Sequence, residues 1–187
     1  MCLSEISSYR KDKIDASLLS KKTYVGVDNL LQNRQGKTDS AYVPSVGNCD
    51  KYCTNDVLIG NIRPYLKKIW LADNDGGTNG DVLIVTSNKE YVLPRFLYYN
   101  LSSDYFFNYD VKYSKGAKMP RGDKASIMNF VIDLPSIDEQ KKIVETLDKF
   151  DAYCNDLTEG LPAEIEARQK QYKYYRNKLL SFEIIEE

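Results

Sequence analysis

The sequence contains no histidine. That removes the Ser-His-Asp triad, the Cys-His pair and the imidazole general base. Any hydrolytic chemistry would have to rest on carboxylates, lysine or tyrosine. Cysteine is scarce, with four among 187 residues: Cys2, Cys49, Cys53 and Cys154. Cys49 and Cys53 form C-x3-C, but no second pair follows at zinc-site spacing, so no metal site is expected. Free thiols packed as small apolar groups are expected instead. No apolar run approaches the roughly 18–20 residues of a membrane span. The start, Met1-Cys2-Leu3-Ser4-Glu5-Ile6, lacks the basic and apolar stretches of a secretory signal. The expectation is a cytoplasmic protein with no membrane contact. Neither a Walker loop nor a glycine-rich cofactor fingerprint occurs, so no cofactor is expected in this chain.

What is present is enough apolar material for a core, 42% of residues, with 28% charged. This is ordinary globular composition. The net charge of −1 hides an asymmetry. Residues 1–135 hold 18 Lys and Arg against 15 Asp and Glu, whereas residues 136–187 hold 8 against 12. A basic first part and an acidic second part hint at two jobs.

The hydrophobic pattern divides at the same place. Up to about residue 135 the chain shows short β-type runs and turns. Thr23–Val27, Asp56–Arg63, Lys68–Ala72 and Asp81–Thr86 read as strands, the last a near-continuous apolar run suited to burial on both faces. Asp73–Gly80 reads as a turn or loop. Leu93 to about Asn108 reads as one helix, with Phe96, Leu97, Leu101 and Tyr105 at helical spacing. Lys112–Lys124 reads as a loop and Asn129–Pro135 as a closing strand. After it, Ser136 and Glu139 fit a capping box. Ile143, Leu147, Phe150, Cys154 and Leu157 then follow at heptad steps. Thr158–Pro162 breaks the helix. A second helix to about Phe182 carries Ile165, Tyr172, Tyr175 and Leu179. Its seam either folds back on residues 138–157 or serves an intermolecular contact. The expected class is α+β: a strand-rich domain over 1–135, then a helical, coiled-coil-like region over 136–187.

Three segments could carry chemistry. Lys112–Lys124 supplies five cations against one acid, suited to phosphates. Asn61-Ile62-Arg63-Pro64-Tyr65-Leu66-Lys67-Lys68 mixes groups that pair with base edges, arginine with guanine and asparagine with adenine. In the loop Asp75–Gly80, Thr78 or Asn79 could reach a groove. Against each stands a bland alternative: a solvated loop, an ion-paired Arg63, a packed Tyr65. For an enzyme, Asp56 and Asp81 both begin predicted strands and could bind magnesium in a nuclease. Yet Asp81 is followed by Val82-Leu83-Ile84-Val85, without the expected lysine, and aspartate at a strand start is commonly a turn residue.

Asp56-Val57-Leu58-Ile59-Gly60-Asn61-Ile62-Arg63-Pro64-Tyr65 resembles the strand-turn signature of target-recognition domains in type I restriction-modification specificity subunits. The run from Gly116 to Leu134-Pro135-Ser136-Ile137-Asp138-Glu139-Gln140 is similar to that family's passage into its conserved helix. Lys141–Phe182 is similar to its helical spacer. The resemblance implies a non-catalytic subunit that reads a split DNA sequence. It implies partners: double-stranded DNA, methyltransferase (modification) subunits and, in the full complex, restriction subunits. S-adenosylmethionine, ATP and magnesium would belong to those partners. A full-length subunit of the family carries two recognition domains and two helical regions, and this sequence holds one of each. Two copies pairing through their helices as a homodimer would present two identical domains to an interrupted palindrome. Lys112, Ser114, Lys115, Lys118 and Arg121 are the first candidates for DNA contact, and Asn61, Arg63 and Tyr65 the second. Ile143, Leu147, Phe150, Ile165, Tyr172, Tyr175 and Leu179 are the candidates for a helical interface. The alternatives are a helical protein-interaction module that never touches DNA, and the small nuclease on Asp56 and Asp81.

Overall fold

A computed structural model describes residues 1–155 and 161–180. In chain order the elements are α1 (Leu3–Ile6), β1 (Ser7–Tyr9), β2 (Lys13–Asp15), β3 (Tyr24–Val25), β4 (Asn48–Tyr52), β5 (Val57–Gly60), β6 (Ile69–Leu71), β7 (Gly76–Thr78) and β8 (Val82–Ser87). Helices follow: α2 (Pro94–Leu101), α3 (Asp104–Tyr113), α4 (Lys124–Met128), α5 (Ile137–Asn155) and α6 (Leu161–Leu180). The class is α+β. The chain divides into two compact units, Met1–Lys141 and Lys142–Glu187.

The first unit contains two four-stranded sheets. One is antiparallel, in the order β1-β8-β5-β6. The other runs β2-β4-β7-β3, with β3 parallel to β7. Alternate residues of a strand face opposite ways. On the first sheet Leu58, Trp70, Val82 and Ile84 therefore share one face, and they meet Val25 and Tyr52 of the second sheet in a buried cluster. Val57, Ile59, Ile69, Leu83 and Val85 point to the other face, where α2 packs against β5, β6 and β8. This double burial explains the unbroken apolar runs at 57–59 and 82–85.

Asp73–Gly80 is not simply a loop. Its middle, β7, is an inner strand of the second sheet. A Cβ on Gly76 would lie 2.0 Å from the Thr23 carbonyl oxygen and 2.5 Å from the Tyr52 hydroxyl, so only glycine admits this approach. Thr78 is fully buried and its hydroxyl donates to the Val25 carbonyl, which removes it from any groove. The helix expected over Leu93–Asn108 is two helices. Ser103 caps the second, its hydroxyl accepting from the Phe106 amide at 3.1 Å. Serine offers the backbone this alternative partner. The break shifts the helical phase, so Phe106 and Phe107 are buried and Tyr105 is 70% exposed. Asn129–Pro135 pairs only through a Cys2–Val131 bridge, after the short helix α4.

Asp56 is structural. It is 2% exposed and accepts from Arg10 Nε at 2.6 Å, Thr86 Oγ1 at 2.8 Å and the Cys53 amide at 2.8 Å. Because β5 and β8 are antiparallel, residues that begin each strand stand at opposite ends of the ladder. Five residue steps separate Asp56 from the level of Asp81, roughly 17 Å at about 3.4 Å per residue. The two carboxylates do not form a metal pair.

The capping box is present. The Ser136 amide donates to Glu139 Oε2 at 3.0 Å, and the Glu139 amide to Ser136 Oγ at 3.4 Å. Gln140, fully buried, anchors the start of α5. Its amide nitrogen donates to the Tyr91 and Pro135 carbonyls at 2.9 and 3.0 Å, and its oxygen accepts from the Leu93 amide at 3.0 Å.

In the second unit Ile143 is 40% exposed, Phe150 62%, Ile165 56% and Tyr175 52%, while Leu147 is half-buried. The side chains of Cys154, Leu157, Tyr172 and Leu179, and most of the break at 158–162, lie outside the described residues. Among the described residues no helix is long and apolar enough to cross a membrane.

Candidate nucleic-acid interface

The two basic segments, distant in sequence, meet in space. Beyond Gly60 the chain continues the ladder for one step, the Asn61 amide donating to the Asp81 carbonyl at 2.8 Å. The Gly122 amide then donates to the Asn61 carbonyl at 3.1 Å, and the Arg63 amide to the Pro120 carbonyl at 2.7 Å. Lys115 and Arg121 exchange both backbone hydrogen bonds at 2.8 Å and close the loop between them. The loop 115–121 is thus held against the turn 61–67 by main-chain bonds that do not depend on the identity of its exposed side chains.

The turn is strained. Arg63 and Lys67 bracket the short 3-10 turn Pro64–Leu66 with left-handed φ of 54° and 51°. Such backbone costs about 1–3 kcal/mol for a residue with a Cβ and persists where surrounding structure imposes it. Here the Arg63–Pro120 hydrogen bond does so. The result is an exposed Arg63 beside a 52% exposed Tyr65. Neither bland expectation holds: Tyr65 is not core, and Arg63 makes no ion pair among the described residues.

Across from them lie Lys115, Lys118 and Arg121, all exposed. Lys115 Nζ pairs with Asp123 at 2.9 Å and Arg121 Nη2 with Asp81 at 3.0 Å. Exposed pairs of this kind contribute only about 0–1 kcal/mol, so an incoming anion can displace them. Lys118 has no ion pair among the described residues. Lys112 is not in the loop but in the last turn of α3, its Nζ 5.3 Å above the Tyr113 ring. Ser114 follows that helix, and its hydroxyl donates to the Val111 carbonyl at 2.8 Å.

Asn61 differs from expectation. Its side chain is 7% exposed and its Oδ1 is buried without a partner, so it forms the floor of the loop rather than its surface. Opposite lies Asp110 of α3, 1% exposed, with both carboxylate oxygens unpartnered. Burial pushes the Asp110 carboxyl up to about 7. Gly122 separates the two: a Cβ there would lie 2.5 Å from Asp110 Oδ1 and 2.8 Å from Asn61 Oδ1. Asp110 is not among the candidates that the sequence motifs offer. The available signal was an acid on the same helical face as Phe106 and Phe107, at i+3 and i+4.

The arrangement presents two arginines, two lysines and a tyrosine on a backbone held by long-range hydrogen bonds. Arginine forks pair with guanine or phosphate, lysines with phosphate, and an exposed ring can stack or wedge.

The chain is similar to several known proteins. The family model for the type I restriction modification DNA specificity domain matches residues 1–167. The chain is 43% identical over 93 residues to the type I restriction enzyme EcoR124I/EcoR124II specificity subunit of Escherichia coli, covering 50% of this chain and 23% of that protein. It is 36% identical over 133 residues to the putative type I specificity subunit S.MpnORF285P of Mycoplasma pneumoniae, covering 70% and 40%. A solved chain from work on assembly and conformational transition of the type I R-M system superposes with TM-score 0.72 at 23% identity, over 96% of this chain and 48% of that one. The HsdS subunit of Thermoanaerobacter tengcongensis superposes with TM-score 0.67 at 22% identity, over 96% and 46%. The chain spans less than half the length of each of these proteins.

Proposed function

The chain belongs to the type I restriction-modification DNA specificity domain family, and from that premise we propose that its first unit reads a DNA sequence and performs no chemistry itself. Arg63, Lys115, Lys118 and Arg121, with Tyr65, make the contacts. Lys112 adds a phosphate contact at the edge, and Asn61 acts from beneath as part of the floor. One observation carries the reading: the backbone bonds from Arg63 to Pro120 and from Gly122 to Asn61 join two separately basic segments into one exposed surface. Base-reading groups need such a rigid support.

The helical region, in this reading, docks methyltransferase subunits and, in the full complex, restriction subunits, and it pairs with a second copy of the chain. The exposed Ile143, Phe150, Ile165 and Tyr175 support it, because apolar side chains at helical spacing gain from burial against a partner helix. A chain that stays monomeric at micromolar concentration in sedimentation velocity, with and without DNA, would refute the pairing.

The test of DNA reading is selection from a randomised duplex library, with and without methyltransferase subunits. Arg63→Ala or Arg121→Ala should weaken binding by about 1–3 kcal/mol and relax one base position. Lys118→Ala should weaken all sequences alike and lower the salt slope by about one. A triple Arg63→Ala, Lys118→Ala, Arg121→Ala variant that selects the same sequence with unchanged affinity would overturn the reading.

A further inference from the structure

A second basic feature lies beside the interface. A cavity of about 380 Å³ opens where the β1–β2 connection crosses from one sheet to the other, lined by Tyr9, Arg10, Lys11, Lys13, Asp50 and Lys124 among others. Four cations face it against one carboxylate.

Their free charge differs. Arg10 is held by Asp56 and Asp12, and Lys13 by Asp50 at 2.5 Å. Lys11 and Lys124 are exposed and make no ion pair among the described residues. They come from opposite ends of the unit's sequence. What brings them together is the Tyr9 hydroxyl, which donates to the Lys124 carbonyl at 3.0 Å, and the Arg10 amide, which donates to the Ile84 carbonyl at 3.1 Å.

The cavity adjoins the loop described above. Gly80 and Lys124 in its wall are the direct neighbours of Asp81 and Asp123, the partners of Arg121 and Lys115. An anionic chain leaving Arg121 would meet Lys124 and Lys11 next. Both are lysines, which bind phosphate as point charges without reading bases.

We propose that Lys11 and Lys124 form a phosphate-binding track continuous with the loop 115–121, which holds the DNA backbone flanking the recognised bases. The proposal rests on the reading that this chain binds DNA. A free polyphosphate offers the same chemistry, but the continuity with Arg121 favours a polymer.

The experiment is duplex binding by the full chain over a salt series, for wild type, Lys11→Gln/Lys124→Gln and Lys11→Arg/Lys124→Arg. The glutamine variant should lower the slope of log K against log salt by about two, since each phosphate contact contributes about 0.9. Its base preference in selection should match the wild type, and the arginine variant should restore the slope. Both sites are exposed, and an unchanged melting temperature verifies the fold. A glutamine variant with the wild-type slope overturns the track. So does competition in which tripolyphosphate binding depends on the two lysines while the DNA slope does not, which would mark a small-anion site. Wild-type protein that binds no duplex at all overturns the functional reading itself, and the track with it.

Discussion

Replacing Asp110 by asparagine should stabilise the protein at alkaline pH and leave it less stable than wild type in acid, where the carboxyl is neutral and only the cost of the unsatisfied amide remains. Asp110 is 1% exposed, neither oxygen has a hydrogen-bond partner, and burial pushes its carboxyl from 3.8 up to about 7. The unfolded chain releases this proton near pH 4, whereas the native state keeps it until about pH 7. The native state therefore binds more protons in that window, and stability falls as the pH rises through it. Three pKa units at about 1.4 kcal/mol each make the full penalty roughly 4 kcal/mol above pH 7, absent below pH 4. Asparagine is nearly isosteric and cannot ionise. Its amide is buried in the same place, and the unsatisfied polar atoms it leaves offset about 1–3 kcal/mol. The net gain at pH 8 should be about 1–3 kcal/mol. Urea denaturation at pH 5 and pH 8 measures it, followed by the fluorescence of Trp70, the single tryptophan, buried between the sheets. Every other titrating group is common to the two proteins and cancels in their difference. A difference that does not change with pH, or a variant less stable than wild type at pH 8, would refute the reasoning.

Two further substitutions probe the frame around the site. Gly76→Ala puts a methyl group 2.0 Å from the Thr23 carbonyl oxygen, so it should destabilise by about 3 kcal/mol in the same urea assay. Gln140→Ala strips partners from the Leu93 amide and from two carbonyls and should lower stability by about 2–4 kcal/mol; a loss below 0.5 kcal/mol would show that water replaces the side chain at the root of α5.

Local signals carried far in this chain. The apolar runs at Val57–Ile59 and Val82–Val85 identified the two central strands, because a strand covered on both faces needs apolar residues at every position. The Ser136 and Glu139 pair marked the start of α5, because capping is satisfied within four residues. The apolar steps from Ile143 onward marked a helix with an unsatisfied face. Where local signals competed, they misled. Glycines at 76 and 77 read as a turn, since glycine favours turns in isolation. In the fold they belong to a strand, where Thr23 and Tyr52 leave no room for a side chain at Gly76, and Leu19, Ile14 and Cys49 crowd Gly77. A continuous helical spacing ran across Ser102 and Ser103, and a serine cap broke it. Asn61 looked like a base-reading group, but which side of the chain it faces depends on a ladder with residues 81 and 122.

By itself, then, the sequence determined the kinds of element, the division between a basic strand-rich part and a helical part, and membership of a family that names DNA specificity. Those properties are written in short-range periodicity and in ordered motifs. Only the tertiary structure decided what stands beside what. It moved Asp56 and Asp81 to opposite ends of one antiparallel ladder and joined Arg63 to the loop 115–121. It also buried Asp110 beneath Gly122 and brought Lys11 to Lys124. Each of these is a spatial relation between residues far apart in the chain, and placement at such distance is set by the packing of two sheets around a shared core, which no local pattern encodes.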